Sequence, residues 1–282
     1  MLVQNFTEMK KFLPSIEMKG APTIFDDALE TAQDDLVSGI IGTDLEELLE
    51  ARNNDDSRLL KLCQRVIAIE AFLTSIPEMD LVLTDSGFGV VSNQDIAPAS
   101  KERVQALKVA VSEKLDAAKD RLITFLMGSE KYSDWKGTEE FARLSDGLIF
   151  TFAEFKDLAV YNRTTSDVYP KSWSEFFLLN SALNVALTTH VASYISNEYA
   201  MEILEKLRDG ENFLPKEKLA LKIIKIATAA FAMGDTETGT EQAIKAALYM
   251  AANPEDFPTF TAYQDRLDLK LRNTDTPIFS MF

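Results

Sequence analysis

Two long segments of the sequence are apolar on most sides, and they constrain the fold more than any other feature. The first is "SRLLKLCQRVIAIEAFLTSI", from Ser57 to Ile76, and the second is "PKEKLALKIIKIATAAFAM", from Pro215 to Met233. Apolar residues recur in both at helical spacing. A helix with so little polar surface must be buried, so we expect each segment to lie inside a helical bundle. We expect the first helix to end at Pro77.

The residues that precede these two helices follow the same order. "ELLEARNNDD" begins at Glu47 and "EILEKLRDGENFL" begins at Glu202, and each predicts a short helix followed by a polar loop. The aligned pairs are Ile41 with Ile195, Leu49 with Leu204, and Phe72 with Phe231. The sequence therefore predicts a mainly α fold of two related helical-bundle units. Internal duplication explains the likeness, but binary patterning alone also makes helical segments resemble one another.

One passage of the first half predicts a β-hairpin. Leu81 to Thr84 and Phe88 to Val91 are two β-prone runs, and Asp85-Ser86-Gly87 between them has turn chemistry. The second half has only "GDTETGT" at the corresponding place. Because such an insertion serves contacts more often than the core, we expect it to bind other polypeptides. The candidate contact residues are Leu83, Asp85, Ser86, Gly87, Phe88 and Val90.

We expect three regions along the chain. Residues 1–130 form an N-terminal helical unit with the hairpin at about 81–91, residues 131–172 form a connector, and residues 173–282 form a C-terminal helical unit with an extended tail. A short strand near Leu148 to Phe152 is an option. Aromatic residues concentrate around the connector, where they either pack the helical units together or contact a partner. They are Phe150, Phe152, Phe155, Tyr161, Tyr169, Trp173, Phe176 and Phe177.

The last residues of the sequence predict a strand-like tail. Leu267, Leu269 and Leu271 alternate with charged residues, which is typical of a strand. The segment "PIFSMF" that follows is apolar, and we expect it to dock on a surface. The tail could pair with the hairpin, or across subunits by strand addition. Its candidate contact residues are Ile278, Phe279 and Phe282.

The residue types needed for catalysis are scarce. His190 is the sole histidine, which removes most metal sites and catalytic triads, and we expect it to be a core or interface residue. Cys63, the sole cysteine, lies in an apolar helix and is predicted to be a small core residue rather than a nucleophile. No phosphate-binding glycine motif occurs in the sequence. We therefore expect no enzyme activity, no catalytic residues, no cofactor and no metal.

The net charge of the chain limits the kinds of partner that we expect it to bind. Lys and Arg number 29 against 45 Asp and Glu, for a net charge of −16. Such a surface repels phosphate backbones and anionic lipids, so we expect no tight nucleic-acid binding, although simple solubility also explains the charge. The uncharged stretch from Phe176 to Ile195 contains several polar residues. It predicts a buried helix of a soluble protein rather than a membrane span.

Residues 1 to about 130 resemble an uncharacterised family of structural proteins from phages and prophages of Bacteroidetes. The resemblance rests on the following features of the sequence: Lys10-Lys11-Phe12-Leu13, the helix end Ile41-Gly42, the leucines Leu45, Leu48 and Leu49, and "DLVLTDSGFGVVSN" followed by "ASKERVQAL". Similar passages of strand, turn, Gly, strand and helix occur in small head–tail connector proteins of tailed phages. The doubled length departs from those small connectors.

The resemblance implies a virion structural protein that forms an oligomeric ring between portal and tail. Its partners would be copies of itself, portal and tail-proximal proteins, and DNA that passes through a channel without tight binding. It would assemble in the bacterial cytoplasm. Two alternatives are a cytoplasmic helical-repeat module that binds proteins, and an enzyme with an unfamiliar carboxylate site. Ring contacts through the hairpin favour the connector, a concave groove favours the binding module, and converging carboxylates in a pocket favour the enzyme.

Overall fold

A computed structural model of the protein describes residues 1–13, 24–79, 82–84, 87–89, 100–159 and 169–274. The fold is mainly α-helical, which confirms the predicted class. The chain divides into two compact units, Met1–Arg143 and Leu144–Phe282. The residues predicted as a connector, 131–172, are shared between these units.

The first unit is built from helices and two short strands. The α-helices are α1 (Phe6–Lys10), α2 (Ile24–Leu36), α3 (Gly42–Glu50), α4 (Ser57–Met79), α5 (Lys101–Met127) and α6 (Glu139–Leu144). A π-helical stretch, Val37–Ile41, continues α2, and two 3-10 helices span Asn54–Asp56 and Glu130–Gly137. The strands are β1 (Val82–Thr84) and β2 (Gly87–Gly89).

Helix α4 lies at the centre of the first unit and packs against α1, α2 and α5. Its buried side chains point to several sides of the helix, as its apolar sequence predicts. They include Leu59, Cys63, Val66, Ile67, Ile69, Phe72 and Ile76. The predicted end at Pro77 is wrong, because α4 continues to Met79. Proline removes one backbone N–H donor, and two further residues keep helical geometry beyond it.

The two strands form an antiparallel pair between α4 and α5. Leu83 lies opposite Phe88, Val82 opposite Gly89, and Thr84 opposite Gly87. Gly87, which was assigned to the turn, is the first residue of β2. Residues 81, 85, 86, 90 and 91 of the predicted hairpin lie outside the described residues.

A glycine with unusual backbone geometry joins α2 to α3. Gly42 has φ +77° and ψ 166°, which residues with a Cβ rarely adopt. The π-helical stretch before it is held by the end of the unit: Trp135 Nε1 donates to the carbonyl oxygen of Ile40 at 2.7 Å, and Arg143 donates to that of Ser38 at 2.6 Å. The junction reverses the chain, so that α3 can lead into α4.

The second unit is also built from helices. Its α-helices are α7 (Phe152–Ala159), α8 (Trp173–Leu178), α9 (Asn180–Val185), α10 (Ala192–Ile195), α11 (Asn197–Asp209), α12 (Pro215–Ala232), α13 (Thr236–Ala251) and α14 (Pro258–Thr274). A π-helical stretch, Ala186–Val191, joins α9 to α10, and a 3-10 helix spans Pro254–Asp256. Central helix α12 packs against α7, α9, the π-helical stretch and α13.

Two expectations for the second unit are wrong. Residues 148–151 precede α7 without forming a strand. The leucines predicted as strand-like lie in α14, which runs to Thr274 and packs on α11 and α13. Leu267 and Leu271 are four residues apart, so they fit one face of a helix as well as one face of a strand. The alternating pattern was therefore ambiguous.

We expect Gly42→Ala to lower the free energy of unfolding by about 1–3 kcal/mol, because a Cβ is strained at this φ. That Cβ would also lie 3.0 Å from Oε2 of Glu140. The control is Gly39→Ala, whose Cβ meets no atom within 4 Å and which should stabilise the helix by about 0.5–1 kcal/mol. Urea unfolding of both variants measures the difference, and equal effects would contradict the strain at Gly42.

The structure confirms Cys63 as a core residue, fully buried in α4. Burial raises the pKa of its thiol, which keeps the thiolate scarce. We therefore expect thiol reagents to label the native protein no faster than it unfolds, and to label the urea-unfolded chain at once. Rapid stoichiometric labelling of the native form would show that the site opens.

Candidate protein-interaction surfaces

The structure describes only part of the predicted contact set. Leu83, Gly87 and Phe88 lie in the strands, where Leu83 and Phe88 are directly paired. The remaining candidates lie outside the described residues: Asp85, Ser86, Val90, Ile278, Phe279 and Phe282. The first unit therefore contributes the backbone of a two-stranded ribbon.

The helix that follows the ribbon extends past the core of the first unit. No side chain from Lys101 to Ala110 is buried, and Val111 is the first buried residue of α5. At 1.5 Å per residue, this exposed half of α5 is roughly 15 Å long. Leu107 and Val109 on it are 40% and 49% exposed. The exposed half of α5 thus presents apolar side chains to solvent in the described part of the first unit.

A buried ion pair fixes α5 against α4. Lys119 Nζ lies 2.9 Å from Oε1 of Glu70, and the two side chains are 8% and 14% exposed. Burial raises the pKa of the Glu70 carboxyl, and the Lys119 ammonium opposes that rise. Glu70 Oε2 has no hydrogen-bond partner in the described part of the chain. Since a buried charge is costly without its partner, this pair fixes the register of the helix that carries the exposed half.

A groove of about 500 Å³ lies on the surface of the second unit. We call it the α9–α12 groove. Its lining residues are Leu178, Ser181, Ala182, Val185, Ala186, His190, Phe231 and Ala232. Leu178 and Val185 are 79% and 53% exposed, and polar groups of Ser181 and His190 lie beside them. The groove is therefore of mixed polarity.

His190 lies in this groove and not in the core. It is exposed, and its ring stacks on Phe231 with centroids 4.9 Å apart and planes 18° apart. Of the two predicted positions of His190, the core is excluded, and an interface stays a prediction. The sequence predicted the whole stretch from Phe176 to Ile195 to be a buried helix, so the exposure of Leu178 and Val185 was not predicted.

A second cleft, of about 340 Å³, lies between α7 and α12. Lys218, Lys222 and Lys225 line it together with Glu154 and Asp157. Lys225 Nζ donates to Oε1 of Glu154 at 2.5 Å. Because carboxylates face the lysines, the cleft does not present a concentrated positive charge to an anion.

Six of the eight aromatic residues of the predicted cluster make ring contacts within the second unit, and Tyr161 lies outside the described residues. Phe155 lies 5.3 Å from Phe176 and 5.8 Å from Tyr169, and the rings of Trp173 and Phe177 stack at 5.3 Å. Phe152 stacks on Phe176 at 5.8 Å. These rings join α7 to α8 at the beginning of the unit.

The described residues contain no group of three or more His, Cys, Asp or Glu side chains placed to hold a metal ion. Among the helices of that same portion, none is both long and apolar enough to cross a bilayer. The candidate surfaces in the described residues are the exposed half of α5, the α9–α12 groove, and the cleft between α7 and α12, which three lysines and two carboxylates line.

Comparison with known proteins finds one family. The sequence model of a family of unknown function (DUF6712) matches residues 23–144. No curated protein and no solved structure matches the chain significantly. The matched segment ends where the first compact unit ends, so the similarity concerns the unit that carries the ribbon.

We expect Lys119→Met to destabilise the protein by about 3–5 kcal/mol near pH 7, because it leaves the Glu70 carboxylate buried without a cation. The loss should shrink as the pH falls toward 5. A carboxyl whose pKa is raised by folding binds a proton more tightly in the native state, so native stability increases as pH falls toward the unfolded pKa. Urea unfolding at several pH values measures this.

The double variant Glu70→Leu/Lys119→Met should recover most of that loss, since it removes both charges. The control is Lys216→Met, which breaks the half-exposed pair of Lys216 with Asp256 at 2.6 Å and should cost less than about 1 kcal/mol. Equal losses in Lys119→Met and Lys216→Met would contradict the structural role of the buried pair.

Proposed function

We propose that this protein is a structural protein of a virion, a head–tail connector or adaptor that assembles into an oligomeric ring between portal and tail. It acts by presenting surface to other polypeptides and not by catalysis. The observation that carries the proposal is the insertion between α4 and α5. Residues 80–100 separate these helices and include both strands, whereas residues 233–235 suffice between α12 and α13. A helical unit thus folds without the insertion, which leaves the insertion free for assembly.

The proposal includes duplication of one helical module. Each unit begins with a capped short helix: Asn5 Oδ1 accepts from the backbone N–H of Glu8 at 3.1 Å, and Thr151 Oγ1 accepts from that of Glu154 at 3.2 Å. The sequences "LVQNFTEMK" and "LIFTFAEFK" at these caps share Leu, Phe, Glu and Lys at the same positions.

Further agreement between the units follows in chain order. Phe6 stacks on Phe25 of α2 at 5.4 Å, and Phe152 stacks on Phe176 of α8 at 5.8 Å. The junction before the short helix then has φ +77° at Gly42 and φ +78° at Ser196. Ser196 follows Ile195, as Gly42 follows Ile41, so the junctions agree with the alignment of the two isoleucines. Binary patterning does not account for a shared rare backbone conformation.

Ring assembly is consistent with the charge and the shape of the parts. A projecting element on one copy that contacts a different surface of the next copy makes a heterologous interface, which closes into a ring when the rotation permits. A net charge of −16 would let DNA pass through such a ring without adhering. The protein would then be located in the virion, after assembly in the cytoplasm of the host bacterium, with portal and tail-proximal proteins as its neighbours.

One observation favours a second candidate. The α9–α12 groove, with exposed Leu178 and Val185, has the form of a receptor site for an apolar peptide segment. A cytoplasmic helical module that binds proteins, without a place in a virion, would use it. Such a protein would stay monomeric and would need no ribbon.

Deletion of residues 83–91 tests the connector. We expect far-ultraviolet circular dichroism to change little, because the helices pack without the ribbon, and we expect native mass spectrometry to show loss of the ring. Leu107→Ser/Val109→Ser should weaken assembly in the same direction. Leu219→Ser, which removes an exposed leucine of the second unit, should leave assembly intact.

Two results would contradict the proposal. One is a wild-type protein that stays monomeric at high concentration, alone and when mixed with a phage portal protein. The other is collapse of helicity on deletion of residues 83–91, which would make the ribbon part of the fold.

A further inference from the structure

We propose that helix α5 of one copy packs antiparallel against helix α13 of the next copy, through a basic face of α5 and an acidic and apolar face of α13. This inference rests on the proposed function, because it names the surface of the neighbouring copy that α5 contacts in the ring. It goes beyond the role of the ribbon, since both faces belong to long helices of the described part of the chain.

One face of α5 is exposed along most of the helix and carries positive charge. Its members recur every three or four residues, which places them on one side of a helix. All six are exposed: Arg103, Leu107, Ala110, Lys114, Ala117 and Arg121. We call this face the α5 stripe. It contains three cations and no carboxylate, and no ion pair between described residues uses these cations.

One face of α13 has the opposite charge. Glu237, Glu241, Ile244 and Leu248 follow one another at the same intervals as the first four members of the α5 stripe, and all of them are exposed. We call this face the α13 stripe. Ile244 and Leu248 are 43% and 66% exposed, and Leu107 of the α5 stripe is 40% exposed. Large apolar residues on adjacent turns of one face are typical of a helix that packs on another helix.

An antiparallel arrangement matches the two stripes residue by residue. With Leu107 placed opposite Leu248, Lys114 falls opposite Glu241, because seven residues separate the members of each stripe. If the helices were parallel, matching the first charged residue of each stripe would set Leu107 against Glu241 and Lys114 against Leu248. Opposite charges at such positions determine the partner and the orientation of paired helices. The same antiparallel alignment sets Ala110 against Ile244 and brings Arg121 within one turn of Glu237.

The two stripes are on helices of different units. Helix α5 packs on α4 of the first unit, and α13 packs on α12 of the second. Both stripes are exposed in the single chain, so each is available to another copy. A contact between two different surfaces leaves one free stripe of each kind at the ends of a growing assembly. Such heterologous contacts continue until the assembly closes into a ring.

The apolar members of the stripes favour a second copy over nucleic acid as the partner of α5. The three cations of the α5 stripe would also attract phosphate groups. A phosphate backbone, however, offers no apolar surface to Leu107, whereas the α13 stripe offers Ile244 and Leu248. Nucleic acid would also leave the α13 stripe uncovered. One neighbouring copy covers both stripes at once.

Charge reversal on each stripe, followed by mixing of the two variants, tests the proposal in the full-length chain. Lys114→Glu/Arg121→Glu makes the α5 stripe acidic, and Glu237→Lys/Glu241→Lys makes the α13 stripe basic. We expect each variant alone to need about ten-fold or more protein for half-assembly, because like charges then face each other. An equimolar mixture should assemble again, since each altered stripe meets the altered stripe of the other variant. Native mass spectrometry and sedimentation velocity measure the assembly.

The matched control is Lys101→Glu/Lys108→Glu, which makes the same change of charge on the same helix, away from the α5 stripe. It should assemble like the wild type. If the stripe variants also assembled like the control while the wild type formed a ring, this contact would be overturned and the proposed function would stand. A wild type that stays monomeric would overturn both.

A further outcome would identify a different partner. If Lys114→Glu/Arg121→Glu abolished binding to a DNA duplex in a gel-shift assay and left assembly unchanged, the inference would be overturned. The partner of the α5 stripe would then be nucleic acid.

Discussion

Burial of two helices that cannot remain in water governs the whole structure. Helix α4 and helix α12 carry apolar residues on most sides, and the surrounding helices exist in these positions because they cover them. Each fully buried Leu, Ile or Val contributes about 1.5–3 kcal/mol relative to exposure. Helix α4 buries five side chains of these types and α12 buries four, so each helix determines where its neighbours pack. One central helix needs one bundle, and two central helices give two compact units.

Charges placed inside these bundles fix how the helices are aligned more than how stable they are. Lys119 with Glu70 joins α5 to α4, and Lys225 with Glu154 joins α12 to α7. Apolar packing alone tolerates sliding of one helix along another. A buried ammonium that must pair with one carboxylate prevents such sliding, because a shifted helix leaves both buried charges without a partner. In the first unit, this alignment sets how far α5 extends past the core, and so it positions the residues exposed for contact.

Much of the fold follows from the sequence because helical periodicity and central burial are local properties. The boundaries and junctions do not, because they depend on residues distant in the chain. Pro77 stays within α4, and the alternating leucines lie in a helix, α14, which packs on α11 and α13. His190 was expected in a core or an interface; it is not in the core, and it stacks on Phe231 at the surface. The groove was not predicted, because the sequence around Leu178 and Val185 does not show which face of a helix the other helices leave uncovered.

Each unit covers a central apolar helix, but the connection that follows this helix differs in length between the two units. Between its central helix and the next, the first unit carries a ribbon and an additional exposed half-helix, whereas the second turns within three residues. Beside its central helix, the second unit leaves a groove open. The proposed role in assembly assigns these two features, the insertion and the groove, to contacts with other polypeptides. Since the core of each unit forms without either surface, both can change in sequence without loss of the fold, and variants at Leu107, Val109 or Val185 can separate binding from folding.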